Sequence, residues 1–148
     1  MNMLTSHLPL LLQTAATLQL GVAVLNLFLI RLLKWRAELD RTPLLLREAF
    51  QIHVWFISIT LGIFGVMTWR FAAEIASGQN EVAQWLAAGI GMFWGIRTVL
   101  QVTYYSSSHW RGLPGRTMAH FALLIVYGGF TVLYLWAAFP HPAAFPLR

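Results

Sequence analysis

Four long apolar runs, each bounded by polar or turn-forming residues, set the pattern of this chain. They occupy residues 8–33, 49–69, 82–105 and 117–139. Each has the roughly 20 residues that a helix needs to cross about 30 Å of hydrocarbon at 1.5 Å per residue. Helix is the expected form, because lipid offers the backbone no outside partners and barrel strands would be shorter and alternating. Breakers fall between the runs: Pro43, then Ser77-Gly78-Gln79-Asn80, then residues 112–115, with Pro140 after the last. The pattern predicts an all-α polytopic membrane protein, one domain over residues 1–148, folded as an up-and-down bundle of four transmembrane helices.

Inside each run a stripe of polar, aromatic or small residues recurs every three or four positions, the period of one helix face. The second run carries Glu48, Gln51, Trp55, Ser58, Gly62, Gly65 and Trp69. The third carries Trp94, Arg97, Gln101, Tyr104 and Ser108. In the fourth, His120, Tyr127, Thr131 and Tyr134 share a face with Leu124 between them. The first is sparser, with Gln19 and Asn26 seven apart. Lipid-facing positions must be apolar, so these stripes are expected to face inward. Two uses are open to them: hydrogen-bonded cross-links between helices, or the lining of a polar pocket. A second face of the third run reads Ala87, Gly91, Gly95, small residues at every fourth position, which lets another backbone come close. That face is expected nearly opposite Arg97. Packing within the bundle and self-association are its two possible uses.

Composition agrees with the pattern. Of 148 residues, 58% are hydrophobic and 10% charged, where a soluble domain has about a quarter charged. The net charge of +5 does not point to nucleic acid, because the basic residues stand at the ends of apolar runs rather than on one soluble face. There is no cysteine, which removes disulfides, thiolate metal sites and cysteine nucleophiles. The first run follows no basic n-region, so it reads as a permanent span. Arg31, Lys34, Arg36, Arg41 and Arg47 lie between the first and second runs, and Arg111 and Arg116 between the third and fourth. The other side has Arg70 and Arg148. The positive-inside bias then predicts both termini outside and the two basic loops in the cytoplasm of a bacterial inner membrane.

Candidate chemistry centres on the string RTVLQVTYYSSSHWRG, residues 97–112. An arginine within a span costs about 2.5–3.5 kcal/mol on insertion scales and calls for an acceptor. Arg97 has two kinds of answer. Glu48 is the one acid on the same membrane side in or near a span, which allows a structural ion pair. Alternatively, Arg97 clamps an anionic headgroup or carboxylate, a task suited to a forked guanidinium. Gln101 and Tyr104 share its stripe. The candidate ligand-binding residues are therefore Arg97, Gln101, Tyr104, Glu48, Gln51 and His120, lining a cytoplasm-facing pocket. Tyr105 to Arg111 read mainly as an interfacial exit from the membrane.

His53, His109 and His120 all fall near the cytoplasmic interface. His53 and His120 sit at similar depth and would be the pair for a b-type haem. No pair shows the local spacing of a metal site, and interfacial hydrogen bonding is the ordinary role of such residues. No Ser–His–Asp set, midplane carboxylate or arginine-rich voltage-sensing helix can be assembled.

The run FWGIRTVLQVTYY resembles small bacterial four-helix membrane proteins that carry an arginine, a glutamine four residues on and an aromatic pair. The architecture as a whole is also similar to the membrane-associated proteins in eicosanoid and glutathione metabolism. In that resemblance REAFQIH, residues 47–53, stands where the family has an arginine- and histidine-bearing segment. Arg97, Tyr104 and Arg116 stand where it has similar residues. The family's following asparagine and glutamate have no counterpart in VWFIS, residues 54–58. The resemblance implies a homotrimeric, glutathione-dependent transferase in which Arg97 stabilises a thiolate and Tyr104 hydrogen-bonds it. Three functions are thus expected as alternatives: binding of a lipid-like or quinone-like ligand, such a transferase, or a structural subunit of a larger membrane complex. The expected partners are membrane lipid and either further copies or other subunits, with no nucleic acid.

Overall fold

A computed structural model describes residues 6–104 and 114–139. Every element among the described residues is a helix: α1 (Leu8–Leu27), α2 (Leu29–Leu32), α3 (Arg36–Leu39), α4 (Leu44–Ser77), α5 (Glu81–Thr103) and α6 (Pro114–Ala138). Four of them, α1, α4, α5 and α6, are long and apolar enough to cross a membrane.

The boundaries have local causes. α1 ends at Leu27, six residues short of the apolar run, and α2 follows as a separate turn of helix. Lys34 then adopts φ 55°, the left-handed region. The amide of Trp35 donates to Ile30 O at 3.1 Å and that of Lys34 to Arg31 O at 3.2 Å. This is the paired pattern of a Schellman stop, with lysine in the place that usually holds glycine. Pro43 immediately precedes α4, as a proline just outside a helix allows. α4 is longer than its apolar run: 34 residues, about 51 Å. It is interrupted at Phe71 (φ −107°, ψ 18°) and stopped by Gly78 at φ 66°. Asn80 caps α5 by accepting from the Ala83 amide at 3.2 Å, and Glu81 puts negative charge in the first turn. Pro114 opens α6, where its missing N–H costs nothing, so the last part of the GLPGR segment is already helix.

Two compact units divide the chain. Residues 13–70 form one, and the rest of the described chain forms the other. In the first, α1 and α4 are joined by amides. Gln19 donates through Nε2 to Leu61 O at 3.4 Å, and Asn26 donates through Nδ2 to Val54 O at 3.1 Å and Ser58 Oγ at 2.9 Å. The sparsest of the four stripes is therefore a set of helix cross-links. The buried residues of α4 are Val54, Ser58, Leu61, Gly65, Thr68, Ala72 and Ile75, at alternating spacings of four and three. That is the seam of closely packed helices. Gly65 is on it because its α-carbon faces Leu20, whose Cδ2 lies 2.8 Å from where a Cβ would stand. Trp55 and Trp69 are not: they are 58% and 51% exposed. The expected stripe through the aromatic positions runs one residue off the true seam. The outward face instead carries Ile52, Trp55, Phe56, Ile59, Ile63 and Val66, an apolar surface suited to lipid and too large for a monomer in water.

In the second unit α5 and α6 run antiparallel. Gly91 lies against Leu135, Gly95 against Thr131, Trp94 against Tyr127 and Phe130, and Gln101 against His120, so numbers rise on one helix as they fall on the other. The small face of α5 is thus used within the chain. Contrary to the sequence expectation, it meets the same helix that Arg97 meets, because α6 is broad enough to receive both edges of the α5 seam. Gln84 donates through Nε2 to Ile75 O at 3.0 Å, answering a carbonyl in the last turn of α4. Ser58, Thr60, Thr98, Thr103 and Thr131 donate to carbonyls four residues back on their own helices, which hides their hydroxyls from an apolar setting.

Gly91 tests this packing. A Cβ there would stand 2.9 Å from Leu135 Cδ2 and Cγ and 3.0 Å from its backbone nitrogen. Gly91→Ala is expected to lower stability in detergent by about 1–3 kcal/mol. Gly89→Ala, with nothing within 4 Å, is expected to be neutral or mildly stabilising. Equal effects at the two positions in thermal unfolding would refute the α5–α6 contact.

Candidate functional site

The α5 seam reads Ala83, Ala87, Ile90, Trp94, Arg97 and Gln101 at spacings of four and three. Alanine and glycine at its start bring α6 close. The side chains then grow along the helix, ending in a cation and an amide. Trp94 is 1% exposed. Its ring stacks on Tyr127 at 5.0 Å with 28° between planes and meets Phe130 at 4.8 Å. Phe130 in turn lies 6.5 Å from Tyr134, which is fully buried. Offset and tilted pairs of this kind are worth about 0.5–1.5 kcal/mol each beyond the area they bury.

Arg97 is half-buried and places its guanidinium carbon 5.1 Å from the centre of the Tyr127 ring. A cation over an aromatic face is stabilised by the ring quadrupole, about 2 kcal/mol or more where water is excluded. Tyr127 thus receives Trp94 and, one turn further, Arg97.

Gln101 lies a turn beyond Arg97, about 6 Å along the axis. It is 3% exposed. Its Nε2 is 2.9 Å from Nδ1 of His120. Its Oε1 is buried with no hydrogen-bond partner. When the amide nitrogen donates, the imidazole accepts through Nδ1 and carries its proton on Nε2. The reverse pairing, with Oε1 accepting from Nδ1–H, leaves the amide nitrogen as the spare group instead. In either arrangement one end of a buried amide lacks a partner among the described residues. Leaving such a group unanswered costs about 1–3 kcal/mol.

Four of the six expected site residues belong to this unit, and Arg97, Gln101 and His120 meet at one stretch of the α5–α6 seam. Tyr104 terminates α5 and is 83% exposed, so it projects from the seam. Glu48 and Gln51 belong to the other unit, on the first turns of α4, and both are exposed there. His53, the haem candidate, is exposed on the same helix. Residues 105–113, with the remaining aromatic, serine, histidine and tryptophan positions of the string that begins at Arg97, lie outside the described residues. The sequence reading had Tyr127 on the right face but missed its part as the acceptor surface for Arg97. The signal was the antiparallel pairing of two stripes, which sequence spacing within one helix does not give.

Comparison of the chain with known protein families, with characterised proteins and with solved structures returns no match. The site must be judged by its own chemistry. It offers a guanidinium, a half-answered amide and an imidazole along an apolar helix pair.

The Arg97–Tyr127 contact can be measured directly. A double-mutant cycle with Arg97→Gln and Tyr127→Leu is expected to give a coupling of about 0.5–2 kcal/mol in detergent unfolding. Additive single effects would show that the two side chains act independently.

Proposed function

We propose that this chain is a multi-pass bacterial inner-membrane protein that binds a lipid-like or quinone-like molecule. Its polar end would sit in a cytoplasm-facing pocket at Arg97, Gln101 and His120. The single observation that carries the reading is the buried Gln101 amide with one end unanswered. An apolar ligand bearing a hydroxyl or carbonyl supplies what that amide lacks. A hydroxyl donates to Oε1, and after the amide and imidazole exchange roles a carbonyl accepts from Nε2. Arg97, one turn away, adds a forked donor for an anionic or carbonyl oxygen. Tyr104, at the end of α5, is proposed to lie at the mouth of the pocket. The orientation proposed with it is an up-and-down bundle forming one domain, both termini outside. It is supported by the four basic residues between α1 and α4 and by Arg47 in the first turn of α4. Binding of a ligand whose tail is as apolar as lipid fits helices whose outward faces are themselves apolar.

Native mass spectrometry of the full chain, extracted in mild detergent, tests this reading. The wild type is expected to retain one apolar molecule with a hydroxyl or carbonyl head. Arg97→Gln and Gln101→Leu are expected to lose it at least tenfold, with helicity and melting preserved. Folded variants that keep the ligand as the wild type does would overturn the proposal. So would a wild type that retains nothing, binds no added short-chain quinol and co-purifies only with other subunits.

A further inference from the structure

The connection between α1 and α4 carries four basic residues, Arg31, Lys34, Arg36 and Arg41, with Arg47 in the first turn of α4, against two acids, Glu38 and Asp40. It is pinned at two points. The Trp35 ring meets Phe50 edge-on at 6.2 Å, and Arg47 Nη1 bridges Asp40 Oδ1 at 3.2 Å. Arg31, Lys34, Arg36 and Arg41, on and around this pinned stretch, are all exposed. Leu27, Leu32, Leu33, Leu44, Leu45 and Leu46 are exposed beside them, Leu45 at 77%. A row of cations next to a row of bare leucines is the profile of a segment at the boundary between headgroups and acyl chains.

Lys34 supplies a second, independent observation. It holds φ 55° at the stop of α2, a backbone conformation that disfavours a residue with a Cβ and suits glycine. The chain keeps an ammonium at the one position of the connection where the backbone favours glycine. Strain of this kind persists where the side chain has a use. Its charge does gain from the carbonyl end of α2, but a helix of four residues has little dipole to offer.

We propose that this connection is a binding surface for anionic phospholipid headgroups, with Arg31, Lys34 and Arg36 as the phosphate contacts. The proposal rests on the membrane-spanning reading but not on the pocket at Arg97. Each base near an anionic surface contributes about a fivefold preference, weakened as salt screens it.

The test is native mass spectrometry of the full chain in mixed micelles of phosphatidylglycerol and phosphatidylcholine. The wild type is expected to retain phosphatidylglycerol at least tenfold over phosphatidylcholine. The Arg31→Gln/Lys34→Gln/Arg36→Gln variant is expected to lose that preference, while Arg70→Gln, an exposed base further along α4, keeps it. Lys34→Gly separates structure from recognition: it should melt no lower than the wild type yet retain about fivefold less phosphatidylglycerol, and Lys34→Arg should restore it. Equal retention of the two lipids by the wild type, or an undiminished preference in the triple variant, overturns the proposal. So does displacement of the bound lipid by millimolar glycerol phosphate, which would assign the bases to a soluble anion. Extraction of the chain from vesicles by alkaline carbonate would sink the spanning reading and this proposal together. A carbonate-resistant chain without lipid preference sinks this proposal alone.

Discussion

An apolar outer surface leaves polar groups nowhere to go but the seams between helices. On α4 and α5 the buried positions follow spacings of four and three, and the residues between them are largely bare hydrocarbon. Such a seam is about one side chain wide. Every amide, hydroxyl or cation in the spans must find its partner within that width or along its own helix. The hydroxyls take the second course, donating four residues back. The amides take the first, as Gln19, Asn26 and Gln84 each reach a backbone carbonyl of another helix. Gln101 departs from this rule in pairing with a side chain, and like Gln84 it leaves its Oε1 without a partner. A carbonyl only accepts, so it fixes which end of an amide faces it, whereas an imidazole nitrogen donates or accepts according to its tautomer and lets the amide face it either way.

Helix number and approximate extent were legible because they depend on length, apolarity and turn residues, each a local property. The ends were less so. α1 stops inside its apolar run at Phe28, and the short α2 beyond it is ended at Lys34 by a conformation that nothing in LLKWR announces. α4 overruns its own because Leu44, Leu45 and Leu46 prolong it at one end and Ala72, Ala73 and Ala76 at the other, and no proline or glycine intervenes before Gly78. Helix faces were harder again. Reading polar and aromatic residues as inward works for α5 and α6, where tryptophan and tyrosine fill the space that glycine opens. It fails on α4, where the contact with α1 is close and the buried positions take nothing larger than Leu61. Large amphipathic rings such as Trp55 and Trp69 are then pushed outward. The seam has the same period in both cases, and what differs is the size of residue it admits.

Of the expected site, the part carried by two facing helices was readable and the part requiring long-range placement was not. Arg97 and Gln101 are four apart on one helix, so any helix puts them on one side. That His120 meets Gln101, and Tyr127 meets Arg97, follows from the antiparallel register of α5 and α6. This register is set by Gly91 against Leu135 and Gly95 against Thr131, several turns away. Small residues at one end of a seam thereby decide which polar residues meet at the other.

This coupling explains why a guanidinium rather than an ammonium suits position 97. The face that Tyr127 presents is already stacked on Trp94 and cannot turn to follow a mobile charge. A planar cation lies over such a ring while its edge N–H groups point along the ring plane. A lysine ammonium would spend its donors in the same direction as its attraction to the ring. Arg97 can therefore contribute to packing through its face and address an oxygen through its edge at once. The neighbouring amide at Gln101 extends that edge by one helical turn, giving a row of hydrogen-bonding groups set into hydrocarbon. Packing alone would be met by leucine at both positions, at no desolvation cost. A cation and a half-answered amide held side by side on a seam otherwise built of alanine, glycine and aromatic rings are the features of this chain that stability does not account for.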